Sequence, residues 1–299
     1  MAQKTGLILL GTEVALLAAL LVFNLAVAPP QGAPVQTLSG PLARVGSVVG
    51  QVEVRRGTSQ RWDLLKPGDT LAEDDEVRTG LFSETTLYLR GASAVVVAPD
   101  SSFVVGQEVV ERSSFKLGVG QIVAAIPRDA NREYEFHSHG SDAVATSHQG
   151  EFSISNDGGG TVIVDGRDGQ VTVQAAGKEV TVTKGRRSMV LAKQGPSSLL
   201  PVPSSLALQV KWPPAKLDRT QVTVSGKTGA GALLLVNGIL ARADKDGNFS
   251  AEVSLREGSN KLVINATDGA GNATVSESPE ILVDTRPPEV RVDAEGLWK

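Results

Sequence analysis

Beyond its first forty residues, the chain consists mostly of short runs in which apolar and polar residues alternate, each closed by Gly, Asp, Asn or Pro. A period of two puts successive side chains on opposite faces of an extended strand, so these runs build sheets with one apolar face. VVGQVEVRR (48–56), TTLYLR (85–90), SAVVVAP (93–99) and SSFVVG (101–106) come first. VGQIVAAI (119–126), GEFSIS (150–155), GTVIVD (160–165), GQVTVQ (169–174) and KEVTVT (178–183) follow. No segment after the first forty residues has the 3.6-residue periodicity of an amphipathic helix. Strands at this pitch predict an all-β fold: a sandwich, a barrel, or a β-solenoid or roll.

A second alternating set occupies 206–284, with LALQVKW, QVTVSG, ALLLVNG, GNFSAEVSL, NKLVINAT and ATVSESPEILVD. About seven short strands in about eighty residues is the pattern of an Ig-like sandwich. The segment between the sets, QGPSSLLPVP (194–203), is rich in proline and serine and reads as a boundary.

Composition narrows the function classes. The chain has 299 residues, enough for two cores. It has no cysteine, which removes thiol nucleophiles, thiolate metal sites and disulfides. Both cores must therefore rest on apolar packing. The net charge of −4, with no basic run longer than Arg55-Arg56 or Arg186-Arg187, argues against a nucleic-acid binder.

Residues 6–28, GLILLGTEVALLAALLVFNLAVA, are interrupted only by Glu13 and Asn24. As a helix they would reach about 35 Å, enough to cross a hydrocarbon core of about 30 Å. Lys4 precedes the segment and no positive charge follows until Arg44, which predicts that everything beyond Pro29 is exported. A cleaved signal peptide is the other reading, because Ala26-Val27-Ala28 has the form of a cleavage site. The length of the apolar stretch and Pro29-Pro30 after the cut favour an uncleaved anchor. Glu13 and Asn24 fall on one helix face and predict a helix–helix partner; the competing reading places Glu13 at the headgroups.

The expected organisation is an anchor or signal at 1–28, a Pro-rich linker at 29–43, a β domain at 44–193, a second linker at 194–204, an Ig-like domain at 205–285 and a tail at 286–299. Residues 45–106 resemble the FecR domain of bacterial envelope proteins. The resemblance is carried by GSVVGQVEVRRG, RWDLLKPGDTLAEDDEVRTG and LYLRGASAVVVAPDSSFVV. Trp62 and Leu64 read as core anchors there, Val77 as an inward residue, and Leu87 with Leu89 as one strand face. The stretch from FKLGVGQIV through KGRRSMVL is similar to the same family, which usually has Gly-Thr before the aromatic where this chain has Gly150-Glu151-Phe152. Residues 206–284 resemble bacterial Ig-like repeats, through VNGILARADKDGNFSAEVSLREGSNKLVINATDGAGN.

The apolar segment and its charge bias predict an inner-membrane, single-pass protein with its bulk in the periplasm; secretion or surface display after signal cleavage is the alternative. FecR-type regulators carry a cytoplasmic domain that holds a sigma factor. With about five residues ahead of the predicted helix, the expectation is a chain that keeps only the exported half of that design. The predicted function is binding, scaffolding or signal sensing through an envelope protein, peptidoglycan or polysaccharide, without catalysis and without a cofactor. The alternatives are a surface adhesin, or an exported carbohydrate-active enzyme with an Ig-like accessory domain. The enzyme reading predicts a concave pocket with two close carboxylates.

No catalytic, cofactor-binding or metal-binding residue is assigned. His137 and His139 could ligate a metal with His148 and Asp142 or Glu151, but an exposed strand edge accounts for them. Asp244, Asp246 and Asn248 around Gly247 are better explained as a hairpin turn than as a calcium loop. Asp268–Asn272 reads as another turn, and Glu73-Asp74-Asp75-Glu76 as a solvated one. Gly158-Gly159-Gly160 precedes no helix and is a poor phosphate cradle.

Overall fold

A computed structural model describes residues 41–109, 111–128 and 132–286. The predicted anchor with Glu13 and Asn24, most of the Pro-rich spacer, and residues 287–299 lie outside the described residues. Among those described, no helix is long and apolar enough to cross a membrane.

The all-β expectation holds: one short 3-10 turn at Arg90–Ala92 is the only helical element among the described residues. The first body contains β1 (Ala43–Val49), β2 (Val52–Arg55), β3 (Trp62–Leu64), β4 (Thr70–Leu71), β5 (Glu76–Thr79), β6 (Glu84–Leu89), β7 (Ala94–Val97), β8 (Ser102–Val109) and β9 (Arg112–Leu117). It continues with β10 (Gly120–Ile126), β11 (Glu133–Ser138), β12 (Val144–Ser147), β13 (Gly150–Asn156), β14 (Val162–Ala175), β15 (Lys178–Thr183), β16 (Arg186–Val190) and β17 (Leu200–Pro201).

These strands form two faces of a roll. The first sheet runs β4-β1-β6-β7-β10-β13-β14-β16-β17, antiparallel throughout. The second runs β3-β2-β5-β8-β9-β11-β12-β14-β15, with one parallel pair between β9 and β11. The chain crosses repeatedly from one to the other. The run 48–56 is therefore not one strand: Gly50, at φ +70°, turns the backbone out of β1 and into β2 of the facing sheet.

Strand β14 belongs to both sheets. The sequence predicts separate strands at 160–165 and 169–174; the structure joins them through a bulge. Glu151 faces Asp168 while Phe152 faces Gly166, which leaves Arg167 as the extra residue. Gly166 is required at the crossing, because a methyl there would come 2.3 Å from the Thr183 carbonyl oxygen.

The core lies between the sheets. One inward row of the first sheet is Val45, Leu87, Val95, Ala124 and Phe152, each opposite the next and all buried. Phe103, Phe115 and Phe136 stack across the second sheet at 5.5 Å centroid spacings, and Phe136 meets Phe152 edge-on at 5.7 Å. That last contact joins the two sheets.

Trp62 and Leu64 do not anchor this core. Trp62 stands opposite Arg55 and Leu64 opposite Glu53, so both share the outward face of the edge strand β3. Leu64 is 62% exposed, and the Trp62 ring carries the Arg78 guanidinium 4.3 Å from its centroid. Leu65, one residue on, turns inward and is buried. Val77, Leu87 and Leu89 are buried as the alternation predicts.

The second body is a β-sandwich with its own apolar cluster, which includes Val224, Leu234, Phe249, Ile264 and Ile281. Its strands are β18 (Gln209–Lys211), β19 (Lys216–Leu217), β20 (Gln221–Lys227), β21 (Leu233–Val236), β22 (Ile239–Arg242), β23 (Asn248–Ser254), β24 (Gly258–Asn260), β25 (Val263–Thr267), β26 (Ala273–Glu277) and β27 (Ile281–Val283). They pair as β18-β20-β23, β22-β21-β25-β26 and β19-β27-β24. The segment between the bodies runs along the first sheet: β17 pairs with β16, and the Ser197 hydroxyl accepts from the Met189 N–H.

Candidate binding groove

The outward face of the first sheet has two differently treated halves, set by which residues stand opposite one another. One row crosses β6, β7, β10, β13 and β14 as Tyr88, Ala94, Ala125, Glu151 and Asp168. Opposed residues on neighbouring strands point to the same side. The two alanines lie between longer side chains, and the result is a trough of about 330 Å³. Arg128 and Gln149 also line it.

Each wall is fixed by local chemistry. The Tyr88 ring lies over the backbone of β1 at Gly46, where a methyl would come 2.3 Å from a ring carbon. Glycine at 46 is what lets the tyrosine lie down. On the other side, Gly150 (φ +129°) packs against β14 so closely that a methyl would meet the Asp168 carbonyl at 2.7 Å. The bulge aims Arg167 sideways: its Nη1 is 3.2 Å from Glu151 Oε1, and its Nε donates to the Gly269 carbonyl of the second body at 2.8 Å. Asp168 stands 3.6 Å from Lys184.

The β13–β14 part of this face is sealed. Ser153, Ser155, Ile163 and Asp165 point outward, yet all are buried. The second body covers them: a methyl at Gly269 would come 2.2 Å from Asp165 Oδ2, and one at Gly231 would come 2.8 Å from the end of Ile163. Asn272 Nδ2 also donates to the Pro203 carbonyl at 3.0 Å. Beneath Gly269, Arg187 holds Asp165 through two bonds of 2.6 and 2.9 Å. Burial pushes the Asp165 carboxyl above the ordinary carboxylate range, against the pull of Arg187, and the Asp268 carboxylate adds to the rise. Burial acts to lower Arg187, and its bonds to Asp165 more than reverse that.

The residues singled out in the sequence lie elsewhere, with one exception. His137 is near the end of β11, with its Nε2 3.6 Å from Glu135, while His139 sits in the turn beyond the strand and His148 is 3.4 Å from Glu133. Among the described residues, no three or more His, Cys, Asp or Glu side chains gather as a metal site. Asp244 caps its turn by accepting from the N–H groups of Asp246 and Asn248, and Asp268 does the same for Asn272. The acidic run is not wholly solvated: Asp75 is buried, bonded to Arg56 at 2.7 Å and to the N–H groups of Gly57 and Ala72. Glu108 is likewise paired, lying between Arg90 and Arg132. The exception is Glu151, which forms a wall of the groove. Tyr88 and Arg167 carried no signal, because the register and the bulge that place them join segments distant in sequence.

Residues 208–284 match the family described as glucodextranase, domain B, which agrees with the Ig-like reading of the second body. No curated protein matches the chain. Among solved structures, a candidate anti-sigma factor from Parabacteroides distasonis aligns at 14% identity over 42% of this chain and 57% of its own, with a TM-score of 0.36. The chain thus spans little more than half of that relative. Fibronectin(III)-like modules of Clostridium thermocellum CbhA align at 13% identity over 64% of this chain and 98% of theirs, with a TM-score of 0.24. A polysaccharide lyase aligns at 9% identity over 82% of this chain and 40% of its own, with a TM-score of 0.20. At these TM-scores the alignments define no common fold.

Proposed function

We propose that the chain is a non-catalytic binding module of the bacterial envelope, exported and tethered by residues 6–28, with a FecR-type first body. The observation that carries the binding role is the division of one sheet face. The second body seals half of it, while the other half stays open as a groove with pinned walls. A fixed concave surface bordering a docked domain is a common place for ligands. The match of the second body to a domain of glucodextranase supports a carbohydrate context.

The test is co-sedimentation of the detergent-solubilised full chain with purified peptidoglycan sacculi and with insoluble glucan. Retention on either supports the module, and retention on neither overturns it. Catalysis is the second reading, favoured by the opposed pair Glu151 and Asp168, whose strand positions suit two close carboxyls. Against it, a glycosidase acid is kept protonated by a dry or like-charged site. Asp168 is 63% exposed, and each of the two acids stands beside a cation. Release of reducing sugar that disappears in Glu151→Gln would establish the enzyme instead.

A further inference from the structure

The geometry points to a sugar ring as the ligand of the groove, seated on Ala94 and Ala125 between Tyr88 and Glu151. This rests on the binding-module reading and names the ligand class for its open surface.

Three features select that class. First, the floor is shallow and apolar while one wall is an aromatic ring, the combination that suits the C–H surface of a pyranose. The ring lies against the β1 backbone, where Gly46 leaves room for it. Second, the polar groups around the floor are both acceptors and donors: the carboxylates of Glu151 and Asp168, the guanidinium of Arg128 and the amide of Gln149. Hydroxyl groups, which donate and accept at once, are the ligand atoms that can use both. Third, each acid is matched by a cation. Arg167 stands 3.2 Å from Glu151 and Lys184 3.6 Å from Asp168, so an amine meets no uncompensated carboxylate, while Arg128 adds a further donor. A volume of about 330 Å³ lies at the small end of ligand pockets, which suits one unit of a glycan better than an extended peptide.

The test titrates the full chain, in a detergent without a sugar headgroup, with isomaltotetraose, cellotetraose and chitotetraose, followed by calorimetry and saturation-transfer NMR. At least one tetrasaccharide binds, with saturation concentrated on one ring. Tyr88→Ala weakens that binding at least tenfold and Tyr88→Phe largely preserves it. Ala125→Trp, which fills the floor from an outward position, abolishes binding while thermal unfolding stays that of the parent. Binding equal in the parent, Tyr88→Ala and Ala125→Trp overturns the inference, as does failure of all three sugars. If all three fail while the chain still sediments with sacculi or glucan, the sugar site falls and the envelope-binding module stands. If neither assay shows binding, both fall.

Discussion

The two faces of the first sheet follow the same alternation but bury different chemistry. Its inward rows are mainly apolar, as in Val45, Leu87, Val95, Ala124 and Phe152, with Thr85 and Ser188 the polar ends of the next row. Its outward rows include Ser153, Ser155 and Asp165, equally buried but beneath a second body. The inward face is a folding core, where each apolar side chain removed from water contributes directly. The outward face is a joint between bodies. There Asp165 is matched by Arg187, while the Ser153 hydroxyl has no hydrogen-bond partner among the described residues, and an unmatched buried polar group costs stability. The groove is where that joint stops.

The largest effect expected from this contrast is at Phe152. Its ring is buried and meets Phe136 across the sheets. Phe152→Ala should destabilise the first body by about 3–5 kcal/mol, the usual cost of deleting a buried ring. Chemical denaturation followed by Trp62 fluorescence would measure it. A loss below about 1 kcal/mol would mean that the sheets do not close on each other as described.

Next comes the outward pair. Arg187→Ala leaves Asp165 buried without its partner and should cost about 3 kcal/mol. The double replacement Asp165→Leu with Arg187→Met should recover most of that loss, because a dry apolar pair needs no desolvation. If the single variant is nearly neutral, water reaches Asp165 and the joint is not sealed.

Much of the inward face was legible in the sequence, because a core writes its period of two directly into the chain. Leu87 and Leu89 of this face, and Val77 of the second sheet, follow that period. Trp62 and Leu64 do not, because hydrophobicity alone cannot tell the inner side of an edge strand from the outer. Their true side is fixed by register with Arg55 and Glu53. The outward joint was not legible, since Ser153 and Asp165 look like solvent-facing residues until a body some hundred residues downstream covers them. For the groove, Glu151 stood out as an irregularity, but its partners Tyr88 and Asp168 are brought to it by strand pairing alone.

The third expectation concerns Glu84, on the same outward side of β6 as Tyr88. Burial pushes its carboxyl up to about 7 from 4.5. The raised value means that ionisation opposes the folded state. The stability contribution is therefore intact below about pH 4.5 and is lost as pH rises through 7. Glu84→Gln should unfold like the parent at pH 4.5 and be more stable at pH 8, by about 2 kcal/mol after allowing for partial exposure. Equal curves at both pH values would show that this edge of the outward face is fully hydrated.

The smallest effect tests where the joint ends. Arg167 is the bulge residue, and its Nε bond to the Gly269 carbonyl is a direct link between the bodies beside the groove. Removing Arg167 deletes that one charge-assisted bond between the bodies, about 1 kcal/mol at a partly exposed position, together with the pair to Glu151 within the first body. Arg167→Ala should therefore leave both cores intact and speed amide exchange in the turn 268–272 about fivefold, the factor that corresponds to that energy. Exchange should not change in β20 and β23, which lie in the second body but carry none of the contacts that place Gly269 on the first. A uniform acceleration across the second body would mean that Arg167 supports its fold rather than its docking. No acceleration at all would mean that the joint closes on Asp165 and Ile163 without it, and the groove wall at Glu151 would then be free of the second body.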